Sequence, residues 1–428
     1  MQNLYVQKSQ LSGTLHLPAS KSHTMRALLF ATLAEGTSVI HNPLPSPDTE
    51  AMIMACQQLG AKITHANNQL TVIGTSGNLK KPQSTIDAGN SGQVLRFIAC
   101  LAGLQPGRVD ITGDHSICHS RPVKPLLSAL NQLGLTAQSI HKNNHPPISI
   151  QGSFTSSHAE LDGSDSQPVS GLLMAAAFRD QITTHLTVSN PGETPWVLLT
   201  IDWLQRLGFT VEQSNFHQYA ITGKKTIPAF NYTVPSDISA MAFPLVAALI
   251  TQSTLTLSNI DLNDPQGDKA ILDIVQRMGA QLTIDAEQKT VTTHPSPSLH
   301  GITIDINHCI DTLPILSVLG CFAQGTTQIT GATIARFKES NRIEAMHTEL
   351  SKMGADITVT DDGLIIRPTP LRAANVDSHH DHRIAMACAV AGLALSEQSV
   401  IKDTDCIAKS FPNFAQSFKQ INANISLV

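Results

Sequence analysis

A chain of 428 residues exceeds the usual span of one domain, so at least two are expected. The net charge is −5 and aromatic residues make up 4%, which excludes both a broad basic face and the stacking platform of a single-strand nucleic-acid binder. No apolar run reaches the ~18 residues of a membrane span, the polar start reads as no signal peptide, and seven scattered cysteines without metal-ligand spacing fit reduced thiols in the cytoplasm.

Residues 13–17 alternate polar and apolar and predict a strand, which Pro18 ends. Ser20 or Ser22 then caps a helix whose apolar face is Ala27, Leu28, Leu29, Ala31 and Leu33. Lys21 and Arg26 fall in or near its first turn, where the helix dipole disfavours cations. Two cations make sense there if an anion joins them, held by free backbone N–H groups. Alone, the pair reads equally well as two solvated surface charges.

The opening recurs along the chain. Polar turns at Ser20, Asn90, Ser164, Ser236, Asn307 and Ser378 each precede a very apolar helix, at separations of 70, 74, 72, 71 and 71 residues. A second landmark, an amphipathic helix closed by Leu-Gly or Met-Gly and followed by a strand, falls at Gly60, Gly134, Gly208, Gly279 and Gly354, which are 74, 74, 71 and 75 apart. Each glycine suits the left-handed position past a helix end. The sixth copy, residues 414–427, lacks the glycine.

Self-similarity at a fixed period marks a repeat architecture. The unit reads strand, buried helix, strand, amphipathic helix, two strands, or βαβαββ. Six units suit two closed globules of three, with the buried helices parallel and their amino ends gathered at one face. Two such faces meeting would form a cleft with a positive field, an expected anion site.

Basic residues cluster at these turns. Lys21 and Arg26 belong to the first repeat, Arg96 and Arg121 to the second, Arg336, Lys338 and Arg342 follow the fifth, and Arg383 and Lys409 belong to the sixth. Any one of them is most simply a solvated charge. Their corresponding placement, in a chain with only 28 Lys and Arg, points to a polyanionic small molecule. Asp311, at a helix opening, and Glu339, between Lys338 and Arg342, break the pattern. A carboxylate among cations stays ionised and suits general-base work, or else merely neutralises its neighbours. The run from His379 to His382 looks like a metal cluster, but adjacent residues of one turn point apart and no fourth ligand follows, so no metal is expected. Cys118 sits near His115, His119 and Arg121, although a loop cysteine is more often incidental. No P-loop or dinucleotide fingerprint occurs.

Longer motifs carry a resemblance. They are Leu17-Pro-Ala-Ser-Lys-Ser22, Gly89-Asn-Ser-Gly92 with Arg96, Ser120-Arg-Pro122, Asp162-Gly-Ser164 through Gln167, and Asp311. Arg336-Phe-Lys-Glu-Ser-Asn-Arg342, Asp381-His-Arg383 and Ala408-Lys-Ser-Phe-Pro412 complete them. Nearly end to end, the chain resembles the 5-enolpyruvylshikimate-3-phosphate synthase family of the enolpyruvyl transferase superfamily. The resemblance implies a mixed α/β (α+β) fold, the two-domain inverse α/β barrel with three βαβαββ units per domain. Its domains would be residues 1–19 plus 236–428, and 20–235, with the active site in an interdomain cleft that closes on substrate. It further implies a cytoplasmic monomer that needs no metal or organic cofactor.

The implied reaction transfers the enolpyruvyl group of phosphoenolpyruvate to the 5-hydroxyl of shikimate 3-phosphate and releases phosphate, a step of aromatic amino acid biosynthesis. Asp311 would take the hydroxyl proton, with Lys21 beside it, and Glu339 would handle the proton at C3, with Lys409 among the catalytic residues. Phosphoenolpyruvate would be held by Lys21, Asn90, Gly92, Arg121, Gln167, Arg342, His382, Arg383 and Lys409. Shikimate 3-phosphate would meet Lys21, Ser22, Arg26, Ser166, Gln167, Asp311 and Lys338. Four positions depart from the family pattern: Asp165, Glu193, Trp196 and Ile334. If Asp165 and Glu193 lined the acceptor's phosphate site, like charges would disfavour that acceptor. Two rivals therefore stand: the same chemistry on another alcohol, and a catalytically silent anion-binding homologue. A superfamily member acting on a uridine-diphosphate sugar would carry a cysteine where this chain has Ser116, since Cys118 is out of register.

Overall fold

The computed structural model describes residues 2–105 and 107–428. The chain forms two compact units, one of the residues up to Pro18 with Pro235–Val428 and one of Ala19–Val234. Each has its own apolar core.

The six apolar runs become buried helices: α1 (Lys21–Leu33), α2 (Gly92–Leu101), α3 (Ser166–Ala176), α4 (Ile238–Ile250), α5 (Leu313–Phe322) and α6 (His382–Gly392). Five open on a side-chain cap that accepts a backbone N–H: Ser20, Ser91, Asp165, Asp237 and Asp381. The fifth in order, α5, instead continues a 3-10 turn, Ile310–Thr312, that carries Asp311. In the second unit α2 and α3 pack on each other, and in the first unit α4, α5 and α6 do so mutually. Gly171 shows how close the first contact is, for a Cβ there would lie 2.8 Å from Cys100 Sγ and 3.2 Å from the Arg96 carbonyl.

The amphipathic helices end as the sequence requires, with Gly60, Gly134, Gly208, Gly279 and Gly354 at φ of +109°, +99°, +81°, +101° and +94°. In the sixth repeat Asn422 takes that role at φ +67°; asparagine is the residue other than glycine that best tolerates this region.

Among the described residues six four-stranded sheets result, all with one topology: the first two strands parallel, the other two antiparallel. The repeat holding α2 is representative. Ile86–Asp87 pairs in parallel with Val109–Thr112, next to which run Ile148–Gln151 and Thr136–Ser139. Three sheets borrow a strand from far along the chain. Asn231–Thr233 supplies the first strand of the α1 repeat, alongside Thr37–His41. Thr14–His16, which directly precedes α1, pairs instead with Leu255–Ser258 in the α4 repeat. Leu4–Gln7 completes the last repeat between Ser399–Lys402 and Asn424–Leu427. The strand read next to α1 in sequence is therefore not in α1's sheet, because the chain changes unit at Pro18. No helix among the described residues is long and apolar enough to cross a membrane.

Candidate active site

In the second unit the three helix openings converge. Gln93 of α2 donates to Ser22 of α1 at 3.2 Å, and Arg96 of α2 reaches Gln167 of α3 at 3.4 Å. Gly92 makes this approach possible. A Cβ there would stand 2.8 Å from an Arg121 guanidinium nitrogen, 2.9 Å from one of Arg96 and 3.0 Å from the Gln167 carbonyl. Arg121 is buried at the end of the short helix His115–Ser120. Asn90 donates to Asp114 at 2.6 Å, and Lys21, at the first position of α1, lies 3.4 Å from Asp48.

Arg26 is turned inward. Its nitrogens donate to Thr200 Oγ1 (3.0 and 2.8 Å), the Trp196 carbonyl (3.1 Å) and the Ser22 carbonyl (3.1 Å), and its guanidinium lies over Phe97. Burial lowers its pKa to about 9, so it remains a cation at neutral pH. The departures at Asp165 and Glu193 are both engaged by protein. Asp165 pairs with Arg96 at 2.8 Å and caps α3. Glu193 is buried, and one oxygen accepts the Ser166 N–H (3.2 Å) and hydroxyl (3.3 Å). The Trp196 carbonyl serves Arg26, and Ile334 packs against the first unit's core.

The first unit carries the acidic partners. Arg342 is 1% exposed and binds three carboxylates: Asp381 through Nε (2.8 Å), Asp311 (2.7 Å) and Glu339 (2.7 Å). Arg383 meets the other oxygen of Asp311 at 2.9 Å, and Lys409 meets the other oxygen of Glu339 at 2.7 Å. Burial raises the Asp311 pKa, but Arg383, Arg342 and Lys338 outweigh it and hold the carboxyl well below its ordinary value. Burial lowers that of Arg342, and its three carboxylates more than restore it. His382 is buried with Nδ1 3.7 Å from Asp381. Of the other two histidines of the apparent metal cluster, His379 bonds Glu349 at 2.7 Å, and the backbones of both are left-handed. Cys118 donates to the Gly113 carbonyl.

The predicted residues thus form two groups. Lys21, Ser22, Arg26, Asn90, Gly92, Arg121, Ser166 and Gln167 lie in the second unit; Asp311, Lys338, Glu339, Arg342, His382, Arg383 and Lys409 lie in the first. Sequence reasoning missed what holds them. Asp48, Asp114, Thr200 and the double role of Asp381 carried no motif of their own, beyond the Asp381-His-Arg run in which the last was noticed. Arg342 in particular spends most of its donors on carboxylates.

Both units are thus three-repeat α/β structures whose helix openings gather cations, in the first unit around the paired carboxylates Asp311 and Glu339. Comparison with known proteins narrows this. Residues 6–418 match the family model of EPSP synthase (3-phosphoshikimate 1-carboxyvinyltransferase). A 3-phosphoshikimate 1-carboxyvinyltransferase of Chlamydia caviae is 43% identical over 423 residues, covering 98% of this chain and 94% of the relative. That of Ruminiclostridium cellulolyticum is 38% identical, covering 99% and 100%. The EPSP synthase structure from Acinetobacter baumannii superimposes with a TM-score of 0.83 at 29% identity over all of both chains. The chain belongs to the EPSP synthase family.

Proposed function

We propose that the two groups of residues act together on one pair of substrates, phosphoenolpyruvate and shikimate 3-phosphate. The observation that carries this is the chain of contacts Arg383–Asp311–Arg342–Glu339–Lys409. It presents two carboxylates and three cations to a reaction that moves two protons and binds two anions.

Asp311, ionised between its arginines, accepts the proton of the 5-hydroxyl as that oxygen bonds to C2 of phosphoenolpyruvate. C3 gains a proton in the same addition, delivered from the Glu339–Lys409 pair. The tetrahedral product then loses phosphate from C2, which carries off the proton that Asp311 had accepted, and a proton from C3, giving the enol ether. Glu339 takes back the C3 proton. Lys21, Arg121, Arg342, Arg383 and Lys409, with Asn90, Gly92, Gln167 and His382, hold phosphoenolpyruvate. Ser22, Arg26, Ser166 and Lys338 serve the acceptor, together with Lys21, Gln167 and Asp311. Asp165 is paired with Arg96, which removes its charge as an objection to the acceptor's phosphate, and Glu193 is buried against the Ser166 N–H and hydroxyl. The enzyme works in the cytoplasm, where its seven thiols stay reduced, and as a monomer.

The test is phosphate release from phosphoenolpyruvate with and without shikimate 3-phosphate. Release that depends on this acceptor is expected. Release only with another alcohol, or with none, would overturn the reading.

A further inference from the structure

Asp268 belongs to none of the motifs above. It lies in a 3-10 turn, Gly267–Lys269, packed on α4 and on the turn that carries Asp311. The preceding residue but one clamps it there: Gln266 accepts the Ile238 N–H at 3.0 Å and donates to the Ser236 carbonyl at 2.9 Å. Asp268 is fully buried; among the described residues its carboxyl oxygens make no hydrogen bond of normal geometry, and the nearby Ser239 hydroxyl favours the charged form only weakly against burial. A buried carboxylate in that state is costly; the group relieves the cost by keeping a proton.

Its neighbours come from four elements. Asp311, with Cys309 just ahead of it, faces it from the adjoining turn, Arg383 from α6, and Asp237 and Ser239 from the opening of α4. Lys269, on its own turn, points its ammonium to the carbonyls of Leu262 and Asp264. Arg383 Nε also lacks a hydrogen-bond acceptor. Burial first, and the Asp311 charge second, push the Asp268 carboxyl up to about 7 against the pull of Arg383. Asp311 is displaced the opposite way. Two neighbouring carboxyls driven apart in this manner divide the proton between them, one holding it and one free to accept it.

We propose that Asp268 is a positioning residue: a buried, protonated carboxyl beside the Asp311–Arg383 pair that leaves the Arg383 charge to Asp311 and to an anionic ligand, and competes for that charge once ionised. The ligand rests on the reading of Arg383 as a phosphoenolpyruvate contact. Ionised, Asp268 sets a second carboxylate beside one guanidinium, and an incoming anion meets a weaker field. As pH rises through about 7 the proton is lost. Affinity for phosphoenolpyruvate therefore falls as pH rises.

The experiment measures kcat and KM for phosphoenolpyruvate between about pH 6 and 8.5 in the wild type and Asp268→Asn, with pH-difference infrared spectra of both. The substrate's own ionisation is common to the two proteins. Wild-type KM should rise severalfold through neutrality relative to the variant and then level off, with kcat changing far less. The wild type should show a carboxylic-acid C=O band that fades over the same range and is missing in the variant. Parallel KM profiles, or a wild type with no such titrating band, would overturn the proposal. Should Asp268→Asn fail to fold, Asp268→Leu keeps the volume, and the wild-type spectrum decides by itself. Absence of any turnover with phosphoenolpyruvate would overturn the substrate reading while the band still reports on Asp268.

Discussion

Asp381→Asn isolates a single charge at the centre of the first unit. Asp381 and Arg342 are 0% and 1% exposed, and the carboxylate also accepts Ser340 Oγ at 3.1 Å. Asparagine keeps the shape and can still cap α6 through its carbonyl oxygen, so the helix survives. The lost quantity is the ion pair. Removing one partner of a buried pair costs about 3–5 kcal/mol, and the two carboxylates left to Arg342 put the cost at the lower end, about 3 kcal/mol. For a unit of this size, about 2–4 °C per kcal/mol gives a fall of roughly 6–12 °C in its thermal midpoint. Calorimetry measures it. The control is Asp273→Asn, which breaks the exposed Arg277–Asp273 pair, 51% and 72% exposed, of a kind worth at most about 1 kcal/mol. Because Arg342 also orients Asp311 and Glu339, kcat/KM should drop by about 100-fold. A midpoint shift no larger than that of the control would refute the argument that Arg342 depends on Asp381.

Gly92→Ala inserts a methyl within 3.0 Å of Arg121, Arg96 and Gln167, all flexible side-chain ends that move aside. Folding should be spared while KM for phosphoenolpyruvate rises about tenfold or more, and unchanged steady-state kinetics would contradict the cradle. At Asn422, φ +67°, alanine should cost about 1 kcal/mol in urea titration while glycine stays within a few tenths; equal losses would show that the left-handed turn does not matter. Asp311 has its folded pKa lowered, so it adds stability above the ordinary carboxylate value of about 4 and loses it as pH falls below. Asp311→Asn should therefore flatten the acid limb of the stability curve, and a limb as steep as the wild type's would argue against an ionised Asp311.

The repeat was legible because its two landmarks are local. A cap and a left-handed glycine each act within one turn of chain, so their spacing survives in the sequence whatever the tertiary structure does. Strand partnership is not local. Thr14–His16 has the same alternating pattern whether it joins α1's sheet or the sheet of Leu255–Ser258, and only the change of unit at Pro18 decides between them. The cations of the site were legible because the openings are short and the chain has few charges to spend elsewhere. Their counter-ions were not. Asp48 opens an ordinary amphipathic helix, and Asp268 lies in a turn no different in sequence from many surface turns.

Asp165 shows what sequence reasoning lacked. As a departure from a family pattern it suggested a carboxylate opposed to the acceptor's phosphate. In the structure one of its oxygens accepts the Gln167 N–H and caps α3, and the other binds Arg96 at 2.8 Å. Asp381 does the same in the other unit: one oxygen accepts the Arg383 N–H and caps α6, and the other binds Arg342 at 2.8 Å. Both stand at the opening of the third repeat of their unit. A carboxylate there is favoured by the helix dipole and holds an arginine from a neighbouring element as its second task. The residue that looked anomalous against the family thus obeys the internal repeat of its own chain. Its charge belongs to Arg96, which makes Arg96, rather than the acceptor, the group whose position should change when Asp165 is replaced.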